Sequence, residues 1–256
     1  RWPWSRRTHA QLVDRLRVAE AKGIAFNILL SEPALFDPEG DALLARAIGR
    51  SGRVVLPVLA ESVQLNGPSV ELMPIPEFAA SAASLGHAEM VLDDDGVARS
   101  VYLRAGLGSP HWPALALALL QLDQPPGTAT ELPGRRRVKT ELPAASPFDW
   151  VRDHEVLVPF TSPPNAFRHV SYTDVLNQRI PMSLLRGNWV VVGVNATGMG
   201  PLARAPGQPP TASMSGAEYQ ANLLNMLLKD AAITPMAEGW QAALAALVAG
   251  FPLLLS

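Results

Sequence analysis

The sequence predicts an α/β fold: a mixed, mainly parallel central sheet flanked by helices, with an inserted antiparallel hairpin, in a single domain that leads into a truncated transmembrane helix. Three observations carry this expectation. Ile24 to Leu30 (IAFNILL) and Arg53 to Leu59 (RVVLPVL) are short apolar runs of the kind that strands covered on both faces require. Asp93-Asp94-Asp95-Gly96 stands between two alternating stretches, and its Asp-Gly pair suits a tight hairpin turn. Trp240 to Ser256 (WQAALAALVAGFPLLLS) carries no charge, yet it is shorter than the about 20 apolar residues that a membrane span needs.

The elements follow in order. Leu12, Val13, Leu16 and Ala19 recur at helical spacing within Thr8 to Ala21, and Lys22-Gly23 ends that helix before the first apolar run. Pro38 to Ile48 reads as a helix between the two apolar runs, which makes a strand-helix-strand unit with parallel strands. His87 to Leu92 and Val97 to Arg104 are the arms of the expected hairpin. Trp112 to Leu122 (WPALALALLQL) is an apolar helix with proline near its start, too short to span a bilayer and therefore a core element. Asp123 to Pro147, rich in Pro, Gly, Thr and Arg, reads as a long exposed loop. The α/β pattern then resumes with a strand at Val156 to Phe160, a short helix at Ser171 to Leu176 and a buried strand at Trp189 to Val194. A last helix, Gly216 to Lys229, packs through Leu223, Leu224, Leu227 and Leu228.

Composition narrows the function classes. A chain of 256 residues, 48% hydrophobic, with formal net charge -2, can bury a full core and offers no electrostatic footprint for nucleic acid. The one dense basic run, Arg135-Arg136-Arg137, falls in the proline-rich loop and reads as a solvated face. No cysteine is present, which excludes a disulfide framework and thiolate metal sites. No signal-peptide pattern opens the chain. Trp2 and Trp4 beside Arg1, Arg6 and Arg7 form an interface-like opening that Trp240 mirrors at the other end, so the expectation is a domain at 1–236 held between two spans, with a span starting at 237–256.

The motifs with chemical potential are few. Gly193 to Gly200 (GVNATGMG) leaves a buried strand as phosphate-binding loops do, but Met199 and Gly200 stand where a P-loop needs Lys and Ser or Thr, and the glycine spacing fails the dinucleotide fingerprint. Asp93 to Gly96 fails as a calcium loop, because alignment on Gly96 puts Val91 first and Tyr102 last. His87 and Glu89 share a hairpin face, but the five histidines are scattered, so no metal, cofactor or catalytic residue is expected. Asp37, Glu39 and Asp41 serve as caps and dipole partners for the helix they open. Ligands of open α/β sheets bind at the carboxyl ends of the strands, which collects Asn27, Ser31, Glu32, Glu61, Asn195 and Thr197 if those strands adjoin. No Gly-x-Ser-x-Gly elbow occurs.

The order of motifs resembles the second class of CHASE domains, bacterial extracytoplasmic sensory modules of cyclases and histidine kinases. The resemblance covers roughly Arg1 to Met236. It rests on RWPW with HAQLVDRL, on IAFNILLSEP followed by DPEGDALLARAI, and on GRVVLPVLAE. It continues through GHAEMVLDDDGVARSVYL with SPHWPALALALL, VPFTSPPNAFRHVSYTDVL, LRGNWVVVGVNATGMG and SMSGAEYQANLLNMLL. Glu218 and Asn222 match the family, and this adds both to the ligand-binding candidates. The family commonly has aspartate where Asn27 stands, and Pro-Gly-Val-Glu near Ser215-Gly216-Ala217-Glu218. The resemblance implies a periplasm-facing, inner-membrane sensor held by flanking helices, acting as a homodimer on an unknown periplasmic signal or protein. It also implies a cytoplasmic output outside this chain: a diguanylate cyclase, an adenylate cyclase or a histidine kinase. Two alternatives stay open: a periplasmic protein-interaction or dimerisation module without a small-molecule ligand, and an exported α/β hydrolase or transferase.

Overall fold

The computed structural model describes residues 4–62, 68–125, 131–137, 146–161, 167–195, 202–209 and 212–254. Trp2, Thr197, Gly198 and Gly200 lie outside these residues, as does much of the segment from Asp123 to Pro147. The chain runs α1 (Arg6–Val18), β1 (Gly23–Asn27), α2 (Pro38–Ser51), β2 (Val54–Ser62), β3 (Ser69–Leu72), α3 (Pro76–Ser81) and β4 (Ser84–His87). It continues through β5 (Ser100–Leu107), β6 (Trp112–Pro113), α4 (Leu115–Gln121), β7 (Trp150–Leu157), α5 (Tyr172–Leu176) and a 3-10 turn at Met182–Leu184. It closes with β8 (Trp189–Gly193), β9 (Leu202–Ala203), β10 (Met214–Ser215), α6 (Gly216–Leu228) and α7 (Glu238–Leu254).

Four strands form the parallel heart of the molecule in the order β4-β2-β1-β8, and β3 extends it antiparallel to the second half of β2. The side chains alternate as a pleated strand demands. Ile24 and Phe26 of β1, with Val54 and Leu56 of β2, pack with Leu12, Val13 and Leu16 of α1 and Leu44 and Ile48 of α2. Ala25 and Val55 face the other way, into a core with Leu115 and Leu119 of α4 and Tyr219 and Leu223 of α6. The result is helices on both faces of a buried sheet, the arrangement that charge-free strands require. Local signals fix the helix ends. Ser5 Oγ accepts from the Thr8 N–H and Asp37 Oδ1 from the Gly40 N–H, caps worth about 1 kcal/mol each, and Gly52 at φ 60° closes α2 in the left-handed conformation.

The antiparallel part exists, but it is placed differently from the hairpin expected around Asp93 to Gly96. The turn itself forms: the Gly96 N–H donates to the Asp93 carbonyl at 2.8 Å, and Gly96 adopts φ 72°. Its two arms do not pair with each other. Ser84–His87 joins the parallel sheet beside β2, and β5 pairs antiparallel with β6 and with β7. The Asp93 N–H donates to the Val97 carbonyl at 3.0 Å and Arg99 holds Asp93 and Asp95 at 2.7 Å each, so the turn is closed locally and no strand ladder continues from it. β7 also starts at Trp150, six residues before the expected Val156, because it carries Arg152, Asp153 and Glu155 and so does not read as apolar.

Those charges qualify a second expectation. Arg136 and Arg137 are exposed, as the solvated-face reading expects, but the run is also paired: Arg135 and Arg137 bind Glu155 at 2.6 and 2.9 Å, and Arg136 binds Asp153 at 2.7 Å. A basic segment is laid along an acidic strand. Trp112–Pro113 pairs with β5 instead of opening α4, and α6 packs through Tyr219, Leu223, Leu224 and Met226 while Leu228 is 50% exposed. β1 ends at Asn27 rather than Leu30. Among the described residues, no helix is long and apolar enough to cross a membrane. α7 has 17 residues and exposes Trp240, Leu244, Leu247 and Val248.

Candidate functional site

β8 is the terminal strand of the parallel sheet: one edge pairs with β1 from Gly23–Trp189 to Asn27–Gly193, and no strand among the described residues pairs with the other. A cleft of about 940 Å³ opens along that free edge. Because the edge strand presents both of its faces, the cleft has two walls. Leu12 and Leu16 of α1, Tyr172 and Val175 of α5, and Leu184 and Leu185 form one. Ala217, Ala221, Leu224 and Leu228 of α6, spaced by three or four residues and so on one helix face, form the other.

Close packing sets where α6 stands against β8. A Cβ on Gly193 would lie 2.7 Å from the Ala217 Cβ, so the first turn of α6 reaches the carboxyl end of the strand only because that residue is glycine. Ser215 caps α6 by accepting from the Glu218 N–H at 3.3 Å, and Glu218 lies buried in that first turn. Arg168 and His169, both exposed, border the cleft on the segment that leads into Tyr172.

Tyr172 joins the cleft to α1. Its hydroxyl lies 2.6 Å from Nδ1 of His9, and Trp4 meets its ring edge-on at a 4.0 Å centroid distance. Burial, aided by Arg6, holds the His9 pKa down to about 4, and burial pushes the Tyr172 hydroxyl up. His9 is therefore neutral at pH 7, which leaves one ring nitrogen to donate and one to accept.

Of the residues singled out from the sequence, Asn195 and Glu218 line this cleft. Asn27 is the last residue of β1, half-buried and in register with Gly193, and does not line it. Ser31 and Glu32 sit on the loop after β1, where the Glu32 carbonyl accepts from Arg6 Nη2 at 2.8 Å. Glu61 pairs with Val70 in the β2–β3 ladder and is exposed. Asn222 is a clamp: its Oδ1 accepts from the N–H and hydroxyl of Thr161 at 2.9 Å each, and its Nδ2 donates to the Glu218 carbonyl. Thr197 lies outside the described residues. The carboxyl-end crevice thus divides, with Asn195 and Glu218 at the β8 cleft and Ser31, Glu32 and Glu61 elsewhere. Sequence reasoning missed Tyr172, Arg168 and the α6 stripe. The spacing of Ala217, Ala221, Leu224 and Leu228 is the available signal, whereas the sequence reading assigns packing to Leu223, Leu224, Leu227 and Leu228 and so takes up only half of the stripe. Among the described residues, no three His, Asp or Glu side chains gather as a metal site.

No curated protein and no solved structure matches the chain. A family model described as the CHASE2 domain matches residues 1–255, essentially the whole chain, and the protein belongs to the CHASE2 family of extracytoplasmic sensory domains.

Proposed function

We propose that the β8 cleft is where this domain receives its extracytoplasmic signal, and that occupancy is passed on through α1 and α6. One observation carries the reading: a single cleft touches both helices, α6 directly and α1 both directly and through the Tyr172–His9 contact. A ligand that prefers one spacing of these helices shifts the population toward it, and displacements of about 1 to 2 Å suffice for interface switches. In this reading the domain faces the periplasm from the inner membrane, flanking helices hold it there, and it works as a homodimer. The output is a cytoplasmic diguanylate cyclase or a comparable enzyme beyond this chain. Family membership favours sensing over the hydrolase or transferase alternative, since the family is sensory and not catalytic.

A thermal-shift screen against small metabolites, short peptides and divalent ions tests the reading. A ligand at 100 times its dissociation constant adds about 2.7 kcal/mol, which for a chain of this size raises the melting temperature by about 5 to 10 °C. The hit is expected to disappear in Ala221→Trp, which fills the cleft, and to survive in Glu61→Gln, which is remote from it. A hit that survives Ala221→Trp places the site elsewhere. A panel without a hit supports the interaction module instead, since self-association is expected of both readings.

A further inference from the structure

We infer that the occupant of the cleft is an extended peptide segment of another polypeptide, added to β8 as a further strand and carrying a carboxylate toward the carboxyl end of β8. The inference rests on the cleft being the signal site. Its first support is the free edge itself. Natural sheets guard their edges with charged side chains, proline, bulges or a covering element. β8 reads Trp-Val-Val-Val-Gly, with neither a charge nor a proline, and among the described residues no strand pairs with this edge, along which the cleft runs. Five residues at about 3.3 Å each present roughly 17 Å of backbone donors and acceptors, the template that strand addition uses.

The walls supply the second support. Side chains of an added strand alternate between the two faces of the sheet. One set would meet Val175 and Leu185, and the other Ala221 and Leu224, with the small Ala221 leaving room beside the strand. Walls on both faces also decide against a second copy of this chain, because its β8 would arrive with its own α6 and α5 segments in the way. Only a bare strand enters.

Charge is the third support. Arg168 and His169 are exposed on the segment running into Tyr172, whose partner His9 packs on Phe26 near the end of β1, and so lie toward the carboxyl end of the sheet. Arg168 makes no ion pair among the described residues. The N-terminal turn of α6 points to the same end, but its positive dipole character is already met by an acidic residue of its own, so the support from charge rests on Arg168 and His169. Glu218 is the opposing charge there, buried in that turn. An acidic residue or a terminal carboxylate on the incoming strand complements Arg168.

The test uses the full chain and two fluorescein-labelled hexapeptides of alternating Val and Thr, one ending in Asp with a free carboxylate and one ending in amidated Lys. The acid-ended peptide is expected to bind about tenfold more tightly, and Arg168→Glu to reverse that order. Binding should slow amide exchange in β8. It should be lost when alternate peptide nitrogens are methylated, since that removes the backbone donors from one edge and leaves the apolar side chains. Binding that survives methylation overturns strand addition, and so does failure of both peptides to bind. If β8 amides are protected without peptide in a concentration-dependent dimer, the occupant is a second copy and the inference falls. A small-metabolite hit that Ala221→Trp abolishes, with both peptides inert, leaves the signal site standing and removes the peptide alone.

Discussion

His87 ends β4 with both ring nitrogens buried and neither in a well-aligned hydrogen bond. Burial holds its pKa down to about 4, against the opposing pull of Glu89 and the Tyr102 backbone, with Arg152 lowering it further. The unfolded chain takes up this proton near pH 6.5 and the folded chain only near pH 4. Stability from this residue is therefore complete above pH 6.5, falls as the pH drops, and is lost by up to about 3 kcal/mol below pH 4. His87→Leu is expected to leave stability at pH 7 unchanged or raised, because an unsatisfied polar group is replaced by an apolar one of similar size. It should also flatten the fall in stability between pH 6.5 and 4, as urea midpoints across that range would show. A loss of unfolding free energy at pH 7 of more than about 1 kcal/mol would mean that the ring has a partner worth keeping. The neighbouring residue gives a steric counterpart: a Cβ on Gly86 would lie 2.9 Å from the Leu115 Cα and 3.0 Å from the Pro113 carbonyl oxygen. Both are backbone atoms that cannot swing away, so Gly86→Ala is expected to cost about 1 to 3 kcal/mol, measured by the same titration.

Between elements, the contact of α1 with α5 ties the cleft to the N-terminal helix through a polar pair, beside the direct lining by Leu12 and Leu16. Tyr172→Phe keeps the ring packed beside Trp4 but deprives His9 Nδ1 of the hydroxyl at 2.6 Å, inside a buried contact. Losing one partner of a buried hydrogen bond costs about 1 to 3 kcal/mol, and a double-mutant cycle with His9→Phe should return a coupling of that order. A coupling near zero would remove Tyr172 as a route from cleft to α1. These elements also show what a sequence makes legible. β1, α2, β8 and α6 were read because their apolar residues fall at strand or helix periods and their ends carry caps, glycine or proline. The family was readable too, since the motifs quoted for the resemblance lie within the stretch that the family model matches. β7 escaped in part because Arg152, Asp153 and Glu155 look like loop until Glu89 and Arg135 to Arg137 are seen to neutralise them. The hairpin was misplaced because a turn is a local signal and a strand partner is not: β4 found β2, about thirty residues away, and β5 found β7 beyond α4. The cleft was invisible for the same reason. Nothing in Trp189 to Gly193 says that this strand closes the sheet, and with the strand order unknown Leu224 and Leu228 could only be read as core.

Across the molecule as a whole, α7 is the element that the fold does not absorb. From Gly239 to Leu254 it carries no charge, and Trp240, Leu244, Leu247 and Val248 are between 54% and 73% exposed. Those positions fall on one helix face, so an apolar stripe stands in water on a domain whose other helices bury theirs. At 1.5 Å per residue the 17 residues Glu238–Leu254 cover roughly 25 Å. Contact with lipid needs no full crossing, and Trp240 has the amphipathic ring that settles at headgroup depth. The full chain is accordingly expected to float with vesicles of phosphatidylethanolamine and phosphatidylglycerol, whereas a truncation ending at Met236 should stay at the bottom of the gradient. The truncation should also keep its melting temperature within a few degrees, because among the described side chains α7 adds none to either core cluster. Leu244→Glu with Leu247→Glu should detach the full chain without unfolding it. If the intact chain fails to float and instead elutes as a dimer that the same double substitution splits, the stripe is a seam between two copies. The signal would then leave the domain through a helix pair formed outside the bilayer.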